Sequence, residues 1–443
     1  MCNCVGGFAV KNSILSIFVF LILIGSTPVA LACAFNCGSS SVIPQTDPGG
    51  PAVKYGNSYF TVEIPERERP NDATISLYED GRRDFFTQLN SRGNMYTVSP
   101  KGNAETFKSV NNIKSETLEK QLAKGYILSY LFYDDGTIKY NGLPKSGRFD
   151  RDIDDQTLFF THSTGKSIVS YIVGHSICAG HINSVNEPVN WPLMSNTLYH
   201  SQPLINLLNM NAGDKHTVNE RASHVIGSNN HHRDMDHISI AKLLEGTKRK
   251  GDKLFYNNVL TDIIASYVAH RAGDDYARLL ESVFQDKIKI ENDVHFELHR
   301  KTSSVPKTLS GKIETRASYS FMITRVDLLR VAVAMMKDYQ QQTCVGRYLR
   351  DLQVQAISWP KYRPSKKNAS LYTHNYARKY GGQFYFDFHK MNGRNIMATE
   401  GYNGQNIMID LDNSRIVVTQ SAATAWDQRT YILNVIREGE LPK

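Results

Sequence analysis

Leu158-Phe159-Phe160-Thr161-His162-Ser163-Thr164-Gly165-Lys166-Ser167-Ile168 joins a strand-like apolar run to a helix-like one, and Ser163 stands at the junction. A serine that opens a helix has the residue three positions on over the same face, here Lys166. The helix start also supplies unpaired N–H groups and positive dipole where an oxyanion would form. The spacing alone decides nothing, because Ser-x-x-Lys recurs at Ser239–Lys242, Ser304–Lys307 and Ser358–Lys361. Ser304 and Ser358 each precede a proline by two residues, and Ser239 falls inside a helical pattern already under way. Only Ser163 lies where a strand gives way to a helix. The competing use of a serine at such a place is an ordinary N-cap.

Downstream, Ile168, Ile172, Val173 and Ile177 repeat at helical spacing and the run stops at Gly180. Further helices are expected over Pro203–Met210, Val259–Ala272, Asp275–Phe284, Thr324–Met336 and Trp426–Arg437. Upstream, Tyr126–Tyr133, the turn Asp134-Asp135-Gly136 and Thr137–Tyr140 read as a β-hairpin. Near the C-terminus, Gly382–Phe388, Asn406–Leu411 and Arg415–Thr419 read as strands. Strands early, helices in the middle and strands late imply an α+β fold: one antiparallel sheet built from the N- and C-terminal strands, with a mostly helical region inserted.

A short basic start, the apolar segment Ser13–Ile24 and the ending Ala30-Leu31-Ala32 describe a secretory signal over residues 1–32, too short for a comfortable membrane span. Cys33 follows directly, so two outcomes stand: a soluble exported protein, or one tethered at the cell envelope through a lipid on Cys33. Residues 33–57, rich in Gly, Ser and Pro, read as a flexible leader. A β-rich extension is expected over 58–120 and the main domain over 121–443. Cys178 lies in an apolar helical run and reads as a buried, inert thiol. The formal charge of +8 is spread along the chain, and an exported protein has little access to nucleic acid, so no nucleic-acid partner is expected.

A serine nucleophile needs a base, and Lys166 is the first candidate. Tyr256-Asn257-Asn258, just before the third helix, supplies a second: a tyrosine beside an ammonium would have its phenolate favoured, and Asn258 can hold the lysine or a substrate carbonyl. Glu400-Gly401-Tyr402-Asn403-Gly404-Gln405 leads into a strand whose glycines would let substrate approach the backbone.

In this order, Ser163-Thr164-Gly165-Lys166, Tyr256-Asn257-Asn258 and Gly401-Tyr402-Asn403-Gly404-Gln405 resemble the motifs of the penicillin-binding-protein-like serine hydrolases. That family comprises class C β-lactamases, D-Ala-D-Ala carboxypeptidases, related esterases and 6-aminohexanoate-dimer hydrolases. The likeness covers about residues 125–437 and includes Leu207–Gly213 and Thr324–Arg330. It implies a β-lactamase/transpeptidase-like fold in which Ser163 attacks a carbonyl and Tyr256 with Lys166 carries the proton. Asn258, Tyr402, Gly404 and Gln405 would bind substrate, the N–H groups of Ser163 and Gln405 holding the oxyanion. Many β-lactamases carry Lys-Thr-Gly where this chain has Tyr402-Asn403-Gly404, so efficient β-lactam hydrolysis is not expected.

The resulting expectation is an exported serine hydrolase acting on a small or peptide-like amide or ester, without metal or cofactor. The alternative is an envelope binding module that keeps the fold and has lost its chemistry. The His- and Asp-rich run Asn229–His237 lacks the fixed ligand spacing of a catalytic zinc site and reads as a solvated loop. His162 has no Gly-x-Ser-x-Gly elbow around its neighbour to support a Ser-His-Asp triad.

Overall fold

The computed structural model describes residues 54–55, 62–63, 95–110, 113–149, 153–217, 237–298, 315–364, 372–423 and 426–443. The expected signal and leader, Cys33, residues 229–236 of the His/Asp run and the Ser304–Lys307 pair lie outside them.

Fourteen strands carry the argument: β1 (Met95–Val98), β2 (Lys108–Ser109), β3 (Ile127–Asp134), β4 (Thr137–Gly142), β5 (Leu158–Phe160), β6 (Val294–Leu298), β7 (Thr315–Arg316), β8 (Met322–Thr324), β9 (Ile357–Ser358), β10 (Ala377–Gly381), β11 (Phe384–Phe388), β12 (Ile396–Gly401), β13 (Gln405–Asp410) and β14 (Arg415–Ser421). The helices are α1 (Glu116–Lys124), α2 (Thr164–Cys178), α3 (Leu204–Leu208), α4 (His237–Leu243), α5 (Asn258–Ala272), α6 (Tyr276–Glu281), α7 (Arg325–Gln341), α8 (Cys344–Val354) and α9 (Asn434–Glu438).

The large sheet has nine strands in the order β9-β10-β11-β12-β13-β14-β3-β4-β2. Both ends of the chain build it as expected, because β14 pairs antiparallel with β3, Arg415 opposite Asp134 and Gln420 opposite Ser129. The β3–β4 hairpin closes through Asp135 and Gly136, whose φ values of 44° and 81° make the left-handed two-residue turn that matches strand twist. Strand β3 is buried along all but its last residue, since α1 and α7 lie against it and its neighbour β14. A continuous apolar run is what such a strand needs.

A second, five-stranded sheet was not foreseen: β1-β6-β8-β5, with β7 also paired to β6. Its strands are short, and β5 is the one that delivers the chain to Ser163. It pairs antiparallel with β8, Leu158 opposite Thr324 and Phe160 opposite Met322. The segment read as an N-terminal extension contributes to both sheets, β1 through its pairing with β6 and β2 through its parallel pairing with β4. Helix α1, capped by Ser115, runs across residue 121 without a break.

Helix α2 is buried on nearly every side, Thr164 to Val173 without exception, which its sequence permits because Lys166 is the single charged residue in that span. Its last residue, Cys178, is disulfide-bonded to Cys344, the first residue of α8, with 5.8 Å between the Cα atoms. This corrects the reading of Cys178 as an inert thiol: its partner lies 166 positions away, and nothing local marks it. Closing so long a loop restricts the unfolded chain, worth about 2–4 kcal/mol. Reduction, or Cys178→Ser with Cys344→Ser, is expected to lower the thermal midpoint by several degrees while a folded protein remains at room temperature. Melting curves with and without reductant check this.

Candidate active site

Thr161 extends β5 by donating its N–H to Phe321 O at 2.9 Å, and the chain then turns through His162, whose φ of 47° is left-handed and unusual for a residue with a Cβ. Ser163 follows in helical conformation. Its side chain makes no capping bond to α2, so the competing use of this serine is absent. The hydroxyl turns to Lys166 instead, Nζ lying 2.9 Å from Oγ.

Lys166 is 1% exposed. Its amine meets the Ser318 carbonyl at 2.6 Å and sits 5.1 Å from the centre of the Tyr256 ring. Burial drives its pKa down to about 7, against the opposing pull of the Asp262 carboxylate. Near neutral pH such an amine is part-neutral and able to accept a proton. The neighbouring His162 ring is held neutral, lowered to about 4 by burial and by Lys166.

Gly165 explains how the amine reaches Ser318. A Cβ there would lie 2.1 Å from the Ala317 carbonyl and 3.0 Å from Thr161 Oγ1. The segment after β7 therefore crosses directly over the first turn of α2, which only glycine permits, and presents the next carbonyl, that of Ser318, to Lys166.

Tyr256 is hydrogen-bonded to Ser163, but its pKa is raised, because burial outweighs the lowering by the Ser163 bond, and Glu400 adds a smaller push upward. The expected phenolate is thus corrected. Lys166 does not outweigh desolvation, and Tyr256 stays a neutral phenol. Of the two asparagines that follow, Asn257 is the structural one: its Oδ1 caps α5 by accepting the Leu260 N–H at 3.1 Å, and its Nδ2 donates to Asp214 at 3.1 Å. Asn258 opens α5, half-buried, and is not among the hydrogen-bond partners of Lys166.

Residues 401–404 form the tight turn between β12 and β13, closed by Gly404 N–H to Gly401 O at 3.1 Å. A Cβ on Gly401 would lie 2.3 Å from Thr161 O, which packs this end of the turn against the nucleophile junction. Tyr402, 44% exposed, sets its ring edge-on to His162 at 5.7 Å. Gly404 lies elsewhere: a Cβ on it would meet Ser421 Oγ at 2.4 Å and Trp426 Nε1 at 2.8 Å. Gln405 is buried, its carbonyl accepting from Thr164 Oγ1 at 2.7 Å and its Nε2 donating to Ser421 O at 2.7 Å. Gly401 and Tyr402 of this motif thus lie against Thr161 and His162 just before Ser163, Gln405 holds Thr164 just after it, and Gly404 packs on Ser421 and Trp426.

Three groups escaped the sequence reading. Ser318 acts through a backbone carbonyl, which leaves no side-chain signature. Asp262 was visible as a lone carboxylate within the apolar helical run Val259–Ala272. Glu400, 9% exposed, accepts from the His374 backbone N–H at 2.8 Å and lies 3.0 Å from His374 Nδ1. The His374 pair, with the Thr373 hydroxyl, keeps its carboxyl ionised against burial.

No family model and no curated protein matches the sequence. Solved structures do match in fold. A protein provisionally assigned as a 6-aminohexanoate-dimer hydrolase, from Bacillus anthracis, superposes with a TM-score of 0.52 over 76% of this chain and 88% of its own, at 14% identity. The octameric penicillin-binding protein homologue from Pyrococcus abyssi gives a TM-score of 0.50 over 71% of this chain and 74% of its own, at 13% identity. Two sheets, the buried helix that starts at Ser163 and these superpositions together give the chain the α+β fold of the penicillin-binding-protein-like serine hydrolases.

Proposed function

We propose that this chain is an exported serine hydrolase that cleaves the amide or ester bond of a small or short peptide-like substrate through an acyl-enzyme on Ser163. The observation that carries the reading is the 2.9 Å contact between Ser163 Oγ, free of any capping duty, and a buried amine poised near neutrality. Neutral Lys166 takes the hydroxyl proton as Oγ attacks the carbonyl carbon. Tyr256, a neutral phenol on the same oxygen, passes a proton to the leaving group and is reprotonated by Lys166. Water then attacks the acyl-enzyme by the reverse route. The developing oxyanion is assigned to the Ser163 N–H at the start of α2 and to the backbone at Gly401–Tyr402, the end of the hairpin packed on Thr161. A binding module without chemistry would have no use for an unpaid desolvation of Lys166.

Export is part of the proposal. It rests on the signal-like residues 1–32 and on the Cys178–Cys344 cross-link, a bond that persists in oxidising compartments. Release to the periplasm and tethering through Cys33 both fit.

Two kinds of outcome test the chemistry. Across p-nitrophenyl esters, D-amino-acid peptides and ω-amino-acid oligomers, Ser163→Ala is expected to abolish turnover with little loss of stability, because Oγ caps nothing. Lys166→Ala is expected to fall at least about 10²-fold in kcat, the usual worth of a general base. The wild-type kcat/KM is expected to rise with pH through an acid limb centred on about 7, since below it Lys166 is an ammonium and cannot accept the proton. A flat profile from pH 5 to 9, in units of the buffer scale, contradicts the assignment of Lys166 as base.

The second outcome concerns charge. Where many β-lactamases carry the lysine of Lys-Thr-Gly this chain has Tyr402, a neutral donor, so the carboxylate of a β-lactam lacks a charged partner there. A chromogenic cephalosporin is expected to turn over at least about tenfold more slowly in kcat/KM than an uncharged ester, a difference of about 1.4 kcal/mol. Equal or faster cephalosporin hydrolysis restores a β-lactamase.

A further inference from the structure

Behind Lys166 lies a chain of buried groups that the acyl-transfer steps do not touch. Asp262, one turn into α5, accepts twice from Ser318: Oδ1 from the backbone N–H at 3.4 Å and Oδ2 from the hydroxyl at 3.1 Å. Ser318 in turn offers its carbonyl to Lys166 at 2.6 Å. On the far side, the Arg316 guanidinium lies 3.6 Å from Asp262 and 4.0 Å from Glu297 of β6. Asp262, Arg316 and Glu297 are fully buried.

Burying three charges is poor value as a stability device, since a buried ion pair is often matched by apolar residues of equal volume. Its placement suggests another use. Tyr256, two residues before the start of α5, lies against the Lys166 amine, and Asp262 within that helix holds Ser318, so one continuous segment addresses both the amine and its carbonyl partner. The titratable and polar groups facing this site include Ser163 on its own helix, His162 in the preceding turn, Tyr256 just before α5, Asp262 within it, and Arg316, Ser318 and Tyr319 from the crossing segment, Tyr319 accepting from Arg316 at 3.2 Å. Glu297 stands behind Arg316, and Glu400 behind Tyr256.

We propose that Asp262 is a positioning residue of the Ser163–Lys166 site: it fixes Ser318 so that its carbonyl orients the Lys166 amine, and its charge, balanced by Arg316, sets the pH at which that amine becomes a base. The inference rests on the hydrolase reading above. It goes further by naming what tunes the base. Removing the charge leaves the ammonium less stabilised, so the amine loses its proton at lower pH.

The test is a direct titration of Lys166 by NMR of full-length protein carrying 13C-labelled lysine, the Lys166 signal identified by its loss in Lys166→Ala, alongside kcat/KM against pH. Asp262→Asn is expected to lower both midpoints by about one pH unit, the usual effect of losing an opposite charge nearby. Asp262→Glu, which keeps the charge, is expected to bring them back to the wild-type values. If Asp262→Asn does not fold, Asp262→Asn with Arg316→Gln is compared with Arg316→Gln alone, both lacking the guanidinium, and the double variant is expected to titrate about one pH unit lower. A midpoint unchanged between wild type and Asp262→Asn, or between Arg316→Gln and the double variant, overturns the proposal, whatever happens to the maximal rate. The NMR arm needs no turnover: a shifted Lys166 midpoint in a protein without activity supports this tuning while contradicting the hydrolase reading.

Discussion

An ammonium group taken out of water is costly, and a protein that buries one must either neutralise it or surround it with acceptors. Lys166 is placed between those outcomes. It has two close oxygen partners, the Ser163 hydroxyl and the Ser318 carbonyl, and one carboxylate held a residue away. That is enough to keep the side chain in place and too little to keep it firmly protonated. A fully solvated lysine would stay charged at neutral pH and be useless as a base. One salt-bridged directly to Asp262 would be equally inert.

The rest of the architecture serves this balance. β5 needs β8 as its partner so that Thr161 and His162 are fixed before the helix begins. The left-handed turn at His162 then aims Ser163 away from the N–H groups it would otherwise cap. Gly165 lets the segment from Arg316 to Ser318 lie against the first turn of α2. On the other flank Thr164 ties that turn to the large sheet, with Oγ1 bonded to Gln405 O and 3.0 Å from Thr399 Oγ1. Ser163 thus sits where both sheets meet one buried helix, and neither sheet alone would position it.

What could be read beforehand followed from periodicity and local chemistry. The switch from a strand-like apolar run to a helical pattern at Ser163 was plain, as was the hairpin turn at Asp135-Gly136. The assembly of the large sheet from both chain ends followed from the order of elements. The small sheet escaped because its strands, two to five residues long, carry too little pattern and pair across long separations. Ser318 and the Cys178–Cys344 bond escaped for the same reason of distance along the chain. In the third motif the glycine at 404 is as good a turn former as that at 401, and only packing shows that Gly401 faces Thr161. Tyr256 was found with the wrong charge, because a sequence shows the neighbouring lysine but not the burial that outweighs it.

The central claim is a covalent acyl group on Ser163, and trapping it is the most direct measurement. Wild-type protein mixed with a p-nitrophenyl ester, quenched in acid during turnover and analysed by intact-mass and peptide-mapping mass spectrometry, should carry one acyl group per chain on the peptide containing Ser163, with none in Ser163→Ala. An acyl group found on a different residue, or continued ester turnover by Ser163→Ala, would contradict the account.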